Sequence, residues 1–201
     1  MARKVFYSFH YGRDAWRAAQ VRNSFALADE DEYGVIDGVA WEKIEREGEE
    51  AIKRWINEQL QYTSVTVVLI GAETAERDWV DYEIRRSWER GNGLLGVRIH
   101  SVQNEKRETD VAGHSPFDGM TLDDGTRLSS ICKVYDWTAD NGLENLGKWV
   151  EEAFQEREKY GADKKITDDE GGTGQTIARA IPVSSPAGGF TPRSPWSDDT
   201  K

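Results

Sequence analysis

Val65-Thr66-Val67-Val68-Leu69-Ile70, followed after a short loop by Asp78-Trp79-Val80-Asp81-Tyr82-Glu83-Ile84, is the stretch on which the fold turns. The first segment is a nearly continuous apolar, β-branched run, as expected of a strand buried on both faces inside a parallel sheet. The second opens an amphipathic helix. Val80 and Ile84 form an inward stripe that continues to Ser87 and Trp88. Trp79 and Glu83 are four residues apart, so they are neighbours on the helix surface. Asp81 points away from them and reads as surface. A strand–loop–helix unit sets Trp79 and Glu83 at the carboxyl edge of the sheet, where open α/β folds place their ligands. On spacing alone, a solvated helix charge beside a partly buried indole takes precedence over a functional carboxylate.

The same alternation extends in both directions. Lys4-Val5-Phe6-Tyr7-Ser8-Phe9 reads as a first strand, and a helix follows over about Asp14 to Ala28. Tyr33-Gly34-Val35-Ile36-Asp37-Gly38 is a short second strand. A long charged helix is expected from Trp41 to Leu60, with Ile44, Ala51, Ile52, Trp55, Ile56 and Leu60 inward. Beyond the helix of Glu83, which stops near Gly91-Asn92-Gly93, Leu94 to Ile99 is the fourth strand and Ile131 to Tyr135 the fifth. A last helix spans about Gly142 to Tyr160. The predicted fold is α/β and flavodoxin-like: a five-stranded parallel sheet of order 2-1-3-4-5 with helices on both faces. Ser101 to Ser129 is polar and aperiodic, and too long for a structureless connection within a compact domain unless it is functional or partly ordered. Residues 1–160 form the expected domain. Residues 161–201, rich in Gly, Asp, Thr, Ser and Pro, are expected to be a tail without its own structure.

Composition narrows the function. The chain has 201 residues, a net charge of −11 and eight tryptophans. Its acidity disfavours a phosphate backbone as principal partner, so no nucleic acid is expected. A small anionic ligand is still compatible, because a helix N-terminus or one arginine can hold it locally. No apolar stretch is long enough to span a bilayer and no signal segment opens the chain, which points to a cytoplasmic protein away from membranes. Cys132 is the single cysteine, which fits a reducing compartment and rules out an internal disulfide. It reads as a core residue within a strand.

By topology, Ser8, Phe9 and His10 end the first strand, Asp37 ends the second with Trp41 just after it, and His100 follows the fourth. All of them join Trp79 and Glu83 on one sheet edge. A phosphoacceptor site is disfavoured, because the third strand ends Leu69-Ile70-Gly71 and no acidic pair follows the first. Phe9-His10-Tyr11-Gly12-Arg13 is not a flavin phosphate loop, and no Gly-rich nucleotide motif occurs. His10, His100 and His114 lack metal-site spacing, so no metal is expected. Glu83 remains. A half-buried carboxylate beside an indole suits binding of a sugar hydroxyl and stabilisation of positive charge at the adjacent carbon.

Lys4-Val5-Phe6-Tyr7-Ser8-Phe9-His10-Tyr11, Thr63 to Gly71, Trp79-Val80-Asp81-Tyr82-Glu83-Ile84, and Val134-Tyr135-Asp136-Trp137 with Ala139-Asp140 resemble, in this order, the TIR-like ThsB proteins of bacterial Thoeris anti-phage defence. The resemblance spans about residues 3–150, is poor over Ser101–Ser129 and does not reach the tail. It implies a TIR fold and an enzyme that senses infection. That enzyme would use NAD⁺ as substrate, with no other cofactor, to make a cyclic ADP-ribose isomer. The signal would activate a ThsA-type effector. Trp79 and Glu83 match the W-x-x-x-E pattern of catalytic TIR domains, which implies that Glu83 is catalytic and Trp79 contacts substrate. Ser8, Phe9 and His10 fall at the ligand-contacting end of the first strand, and Asp37 and Trp41 in the variable loop bordering the site. A phage protein as trigger and self-association of the chain are also implied. Two alternatives stay open: a TIR-like adaptor that binds a partner without turnover, and a nucleoside deoxyribosyltransferase-like hydrolase with a carboxylate nucleophile.

Overall fold

The structure is a computed structural model that describes residues 3–26, 44, 46–160 and 164–168. Its strands among these residues are β1 (Val5–Phe9), β2 (Val65–Ile70), β3 (Gly93–Arg98), β4 (Met120–Leu122), β5 (Val134–Asp136) and β6 (Ile166–Asp168). Its helices are α1 (Tyr11–Ala26), α2 (Glu49–Leu60), α3 (Asp78–Glu89) and α4 (Gly142–Arg157). The central sheet runs β1-β2-β3-β5, all parallel, with Ser8 opposite Val68 and Val68 opposite Gly96.

Every residue of β2 is buried, because helices cover both faces of the sheet. On one face Tyr7, Val67, Leu69 and Val97 pack with Ala18 and Val21 of α1 and Leu146, Trp149 and Val150 of α4. On the other, Val68, Ile70 and Leu94 meet Val80, Ile84 and Trp88 of α3, while Phe6 meets Ile52, Ile56 and Leu60 of α2. The apolar stripe of α3 is therefore its buried one. The helix stops where Gly91 adopts a φ of 86°. There Asn92 N–H donates to the Ser87 carbonyl at 2.9 Å and Gly91 N–H to that of Trp88 at 3.0 Å, the paired bonds of a glycine-terminated helix.

Several expectations need correction. Four of the five expected strands are described, in the expected relative order; the remaining one, Tyr33–Gly38, lies outside the described residues. The helix expected from Trp41 is interrupted at Gly48, whose φ is 95°, and α2 starts at Glu49. The last strand of the sheet begins at Val134 and not at Ile131. Ile131 closes a 3₁₀ turn over Leu128–Ser130 in helical geometry, so neither it nor Cys132 pairs in the sheet. Both are buried under α3 nonetheless.

The aperiodic Ser101–Ser129 segment is ordered. It holds β4, a turn at Gly125 with φ 82°, and four core side chains, Phe117, Met120, Leu122 and Leu128. The structure also continues past Tyr160: β6 pairs antiparallel with β4, with Leu122 opposite Ile166. Ile166 packs on the α3 cluster, and that burial holds a segment whose composition alone predicts none.

Candidate active site

Glu83 lies on α3 where the helix crosses the end of β1. Residues alternate faces along a strand, so Phe6 and Ser8 point toward α3 while Tyr7 and Phe9 point away. The Ser8 hydroxyl donates to Glu83 Oε2 at 2.5 Å. Glu83 is 7% exposed and Ser8 not at all. Burial pushes the Glu83 carboxyl up to about 8, against the Ser8 hydrogen bond, which lowers it. Desolvation wins because an anion in an apolar setting loses its hydration and gains one hydroxyl in return. A carboxyl so perturbed at the carboxyl edge of a parallel sheet is a functional candidate on physical grounds. It can exist as acid or as carboxylate near neutral pH.

Trp79, one turn earlier, is half-buried against the Phe6–Ile56 cluster. Its ring meets Tyr82 edge-on, with centroids 5.9 Å apart and planes at 85°. Phe9 packs on the opposite side of the sheet from Glu83, beside the α1–α4 cluster, with its ring centroid 5.9 Å from that of Tyr11. Ser8 is thus the first-strand residue brought onto Glu83. Asp37 and Trp41 lie outside the described residues.

His10 belongs to a charged network at the same edge. Its Nε2 is 3.6 Å from a Glu73 carboxylate oxygen, which also receives Arg77 at 2.9 Å. Arg13 reaches the other Glu73 oxygen at 2.7 Å and forks onto both oxygens of Asp110 at 2.9 Å. Burial first, then Arg77, lowers the His10 pKa, against Glu73, which raises it. Below this network, Arg17 bonds Asp14 at 3.0 Å with side chains 3% and 0% exposed. The Asp14–Arg17 pair has a legible helical spacing, but the sequence carries no signal joining Arg13 of α1 to Glu73 and Asp110 in the connections after β2 and β3. His100 Nδ1 stands 3.8 Å from Asp136.

A cavity of about 360 Å³ opens elsewhere, between Asp81 of α3 and His114, Ser115, Pro116 and Asp118. Glu83 is not among its walls. Among the described residues no group of three or more His, Cys, Asp or Glu side chains is arranged to hold a metal ion. Cys132 is buried and its thiol is pushed well above its ordinary value by desolvation, which makes it inert. No helix of the described residues is long and apolar enough to cross a membrane.

Residues 6–104 match the family model described as Thoeris protein ThsB, TIR-like domain. The chain is also similar to a curated protein of Bacillus cereus (strain MSX-D12) named "Putative cyclic ADP-D-ribose synthase ThsB1". Their alignment, 192 positions long, is 33% identical and takes in 75% of this chain and all of the relative.

Proposed function

Because the chain belongs to the TIR-like ThsB family of Thoeris defence, we propose that it converts NAD⁺ into a cyclic ADP-ribose isomer, with Glu83 as the catalytic carboxylate. The observation that carries this reading is the Glu83 carboxyl itself, poised near neutrality by burial and held at the sheet's carboxyl edge by Ser8. The bond from the ribose anomeric carbon to the nicotinamide nitrogen breaks, and its electron pair leaves with nicotinamide. Positive charge develops at the anomeric carbon, and ionised Glu83 stabilises it through charge and through the ribose hydroxyls. A nucleophilic atom of the adenosine part forms the new bond, releasing one proton where that atom carried one. Exclusion of water decides cyclisation over hydrolysis. The relative's name supports the product class. The signal would act on a ThsA-type effector, and a phage component would trigger its synthesis.

Incubation of the purified protein with NAD⁺, followed by mass spectrometry of the products, tests this reading directly. The expected result is nicotinamide and a cyclic isomer from the wild type and neither from Glu83→Gln. Unchanged turnover by Glu83→Gln would remove Glu83 from the catalytic role. One observation favours a second reading. Glu83 is almost wholly covered and does not border the 360 Å³ cavity, which suits an adaptor without turnover or an enzyme that opens only when triggered. Infected-cell lysate added to the assay separates the two: turnover appears for a triggered enzyme and stays absent for an adaptor.

A further inference from the structure

Three hydroxyl side chains meet between α3 and the sheet, Ser87 from the helix and Ser8 and Thr66 from the strands, and they divide into two tasks. Ser87 Oγ donates to the Glu83 carbonyl at 2.6 Å, and Thr66 Oγ1 lies 2.7 Å from Ser87 Oγ. With the Ser87 proton used in this way, Thr66 is the donor of that pair. Both hydroxyls therefore anchor the backbone of the turn that carries Glu83. Ser8 does something else: it bonds the carboxyl, at 2.5 Å, from the neighbouring strand.

The register explains why a hydroxyl stands there. Ser8 is opposite Val68, with Phe6 opposite Thr66, so Ser8 and Thr66 occupy diagonal positions on adjacent strands under one helix. Apart from Ser87 and Glu83, the inward positions around them, Val68, Ile70, Val80 and Ile84, are apolar. A serine in such a place leaves a costly unsatisfied hydroxyl unless it finds a partner, and its partner is Glu83. Ser8 has no exposed surface, whereas Glu83 retains 7%. Of the two, only Glu83 keeps any surface that a ligand at this edge could reach.

We propose that Ser8 is a positioning residue for Glu83: its hydroxyl fixes Oε2 against β1, turns Oε1 toward the ligand side and makes no contact with substrate itself. This inference rests on the reading of Glu83 as the catalytic carboxylate. An unrestrained carboxyl rotates about its terminal torsion, which is broad and roughly two-fold, so the bond selects one presentation of the charge. It also favours the ionised form, because a carboxylate accepts from a hydroxyl more strongly than a neutral acid does. Among the described residues, no charged neighbour compensates for its loss. On α3, Arg85 is engaged with Asp81 and Arg86 with Glu89. At the end of β1, His10 faces Glu73. From α2, Ile52, Ile56 and Leu60 pack on this face, and the uncharged Asn57 bonds Tyr82 and Arg86. Among the described residues, burial and Ser8 shift the Glu83 carboxyl.

The test has two arms on the full chain. In the first, glutamate carboxyls are labelled with ¹³C and Glu83 is titrated by NMR without substrate, assigned by its absence in Glu83→Gln. Ser8→Ala is expected to move this titration upward by about one pH unit, the equivalent of one charge-assisted hydrogen bond. In the second arm, NAD⁺ turnover is followed against pH. Ser8→Ala should lower kcat at neutral pH by about tenfold, shift the rising limb by the same amount as the titration, and leave KM within about twofold. Ser8→Thr, which keeps the hydroxyl, should restore both. If Ser8→Ala does not fold, Ser8→Cys keeps the size and weakens the donor, so a smaller shift in the same direction is expected. An unmoved Glu83 titration overturns the proposal. So does a rise in KM with the pH profile unchanged, which would make Ser8 a substrate contact. Absence of turnover by the wild type even with infected-cell lysate present overturns the catalytic reading of Glu83 and not the Ser8–Glu83 coupling, which the titration decides by itself.

Discussion

The indole nitrogen of Trp88 donates to the Lys164 carbonyl at 2.9 Å, joining the helix that carries Glu83 to chain beyond the last helix. Arg157 reinforces the junction: it lies over the Trp88 ring at 4.0 Å, donates to the Trp88 carbonyl at 3.0 Å and to that of Tyr160 at 2.7 Å. Arg85 of α3 reaches the Ile166 carbonyl at 3.2 Å. Residues 164–168 thus form a strap across the outer end of α3, and they cover core that would otherwise be wet.

Truncation after Tyr160 removes that strap. The Trp88 N–H loses its acceptor, β4 loses its pairing partner, and Ile166 is withdrawn from the α3 cluster. The expected cost is about 2–4 kcal/mol, from one buried aliphatic side chain and several hydrogen bonds. A urea melt of the truncated chain checks it. A midpoint equal to that of the full chain would show that α3 does not need the strap.

Arg17→Ala strands a buried acid. Asp14 has no exposed side-chain surface, and burial already raises its pKa. Arg17 also donates to the Val102 carbonyl at 2.8 Å and to that of Glu108 at 3.3 Å, so the segment after β3 loosens with it. The expected destabilisation is about 3–5 kcal/mol, since an unpaired buried charge remains. Adding Asp14→Asn in the same chain should recover part of it. A loss below about 1 kcal/mol in chemical denaturation would contradict this account of the pair.

Glu83 makes stability pH-dependent in a defined direction. Its folded value of about 8 lies above the ordinary 4.5. Between these limits the folded chain binds the extra proton, so its contribution is complete below pH 4.5 and is lost as pH rises through 8. Each unit of separation corresponds to about 1.4 kcal/mol. Glu83→Gln keeps the shape and removes the titration. Its stability relative to wild type should therefore climb from pH 5 to pH 9. Parallel curves for the two proteins would mean that Glu83 ionises normally in the folded chain.

Gly93→Ala tests the contact between α4 and the sheet. A Cβ at Gly93 would stand 2.6 Å from the backbone carbon and oxygen of Ala153, which cannot move aside without displacing α4. Overpacking of this kind costs about 1–3 kcal/mol. Gly119→Ala, where nothing lies within 4 Å, is the matched control and should be near neutral. Equal melting temperatures for the two variants would count against the packing described.

Much of the fold was legible because its signals are local. The continuous apolar run of Val65–Ile70 can be satisfied only between two helical layers, and Val80, Ile84 and Trp88 recur at the spacing of one buried helix face. Gly91 marks the end of α3 because it supplies the positive φ that the termination needs. The pattern failed where burial is not periodic. Phe117, Met120, Leu122 and Leu128 enter the core from a hairpin and two tight turns, and no repeat of two or of 3.6 connects them. Ile166 is an apolar residue with polar neighbours on both sides, and its strand exists because β4 offers an open edge above the α3 cluster.

The candidate site divides in the same way. From Trp79 and Glu83 four apart, and from the strand before them, the sequence by itself determined that an indole and a carboxylate share the carboxyl edge of a parallel sheet. Only the tertiary structure decided that Ser8, 75 residues away, bonds that carboxylate, that Phe9 faces the other side of the sheet, and that His10 belongs with Glu73. Helical and strand periods report which face a side chain occupies relative to its own backbone. They carry no information on which distant hydroxyl fills the space opposite, and the proton affinity of Glu83 is set by that partner and by the burial that the partner completes.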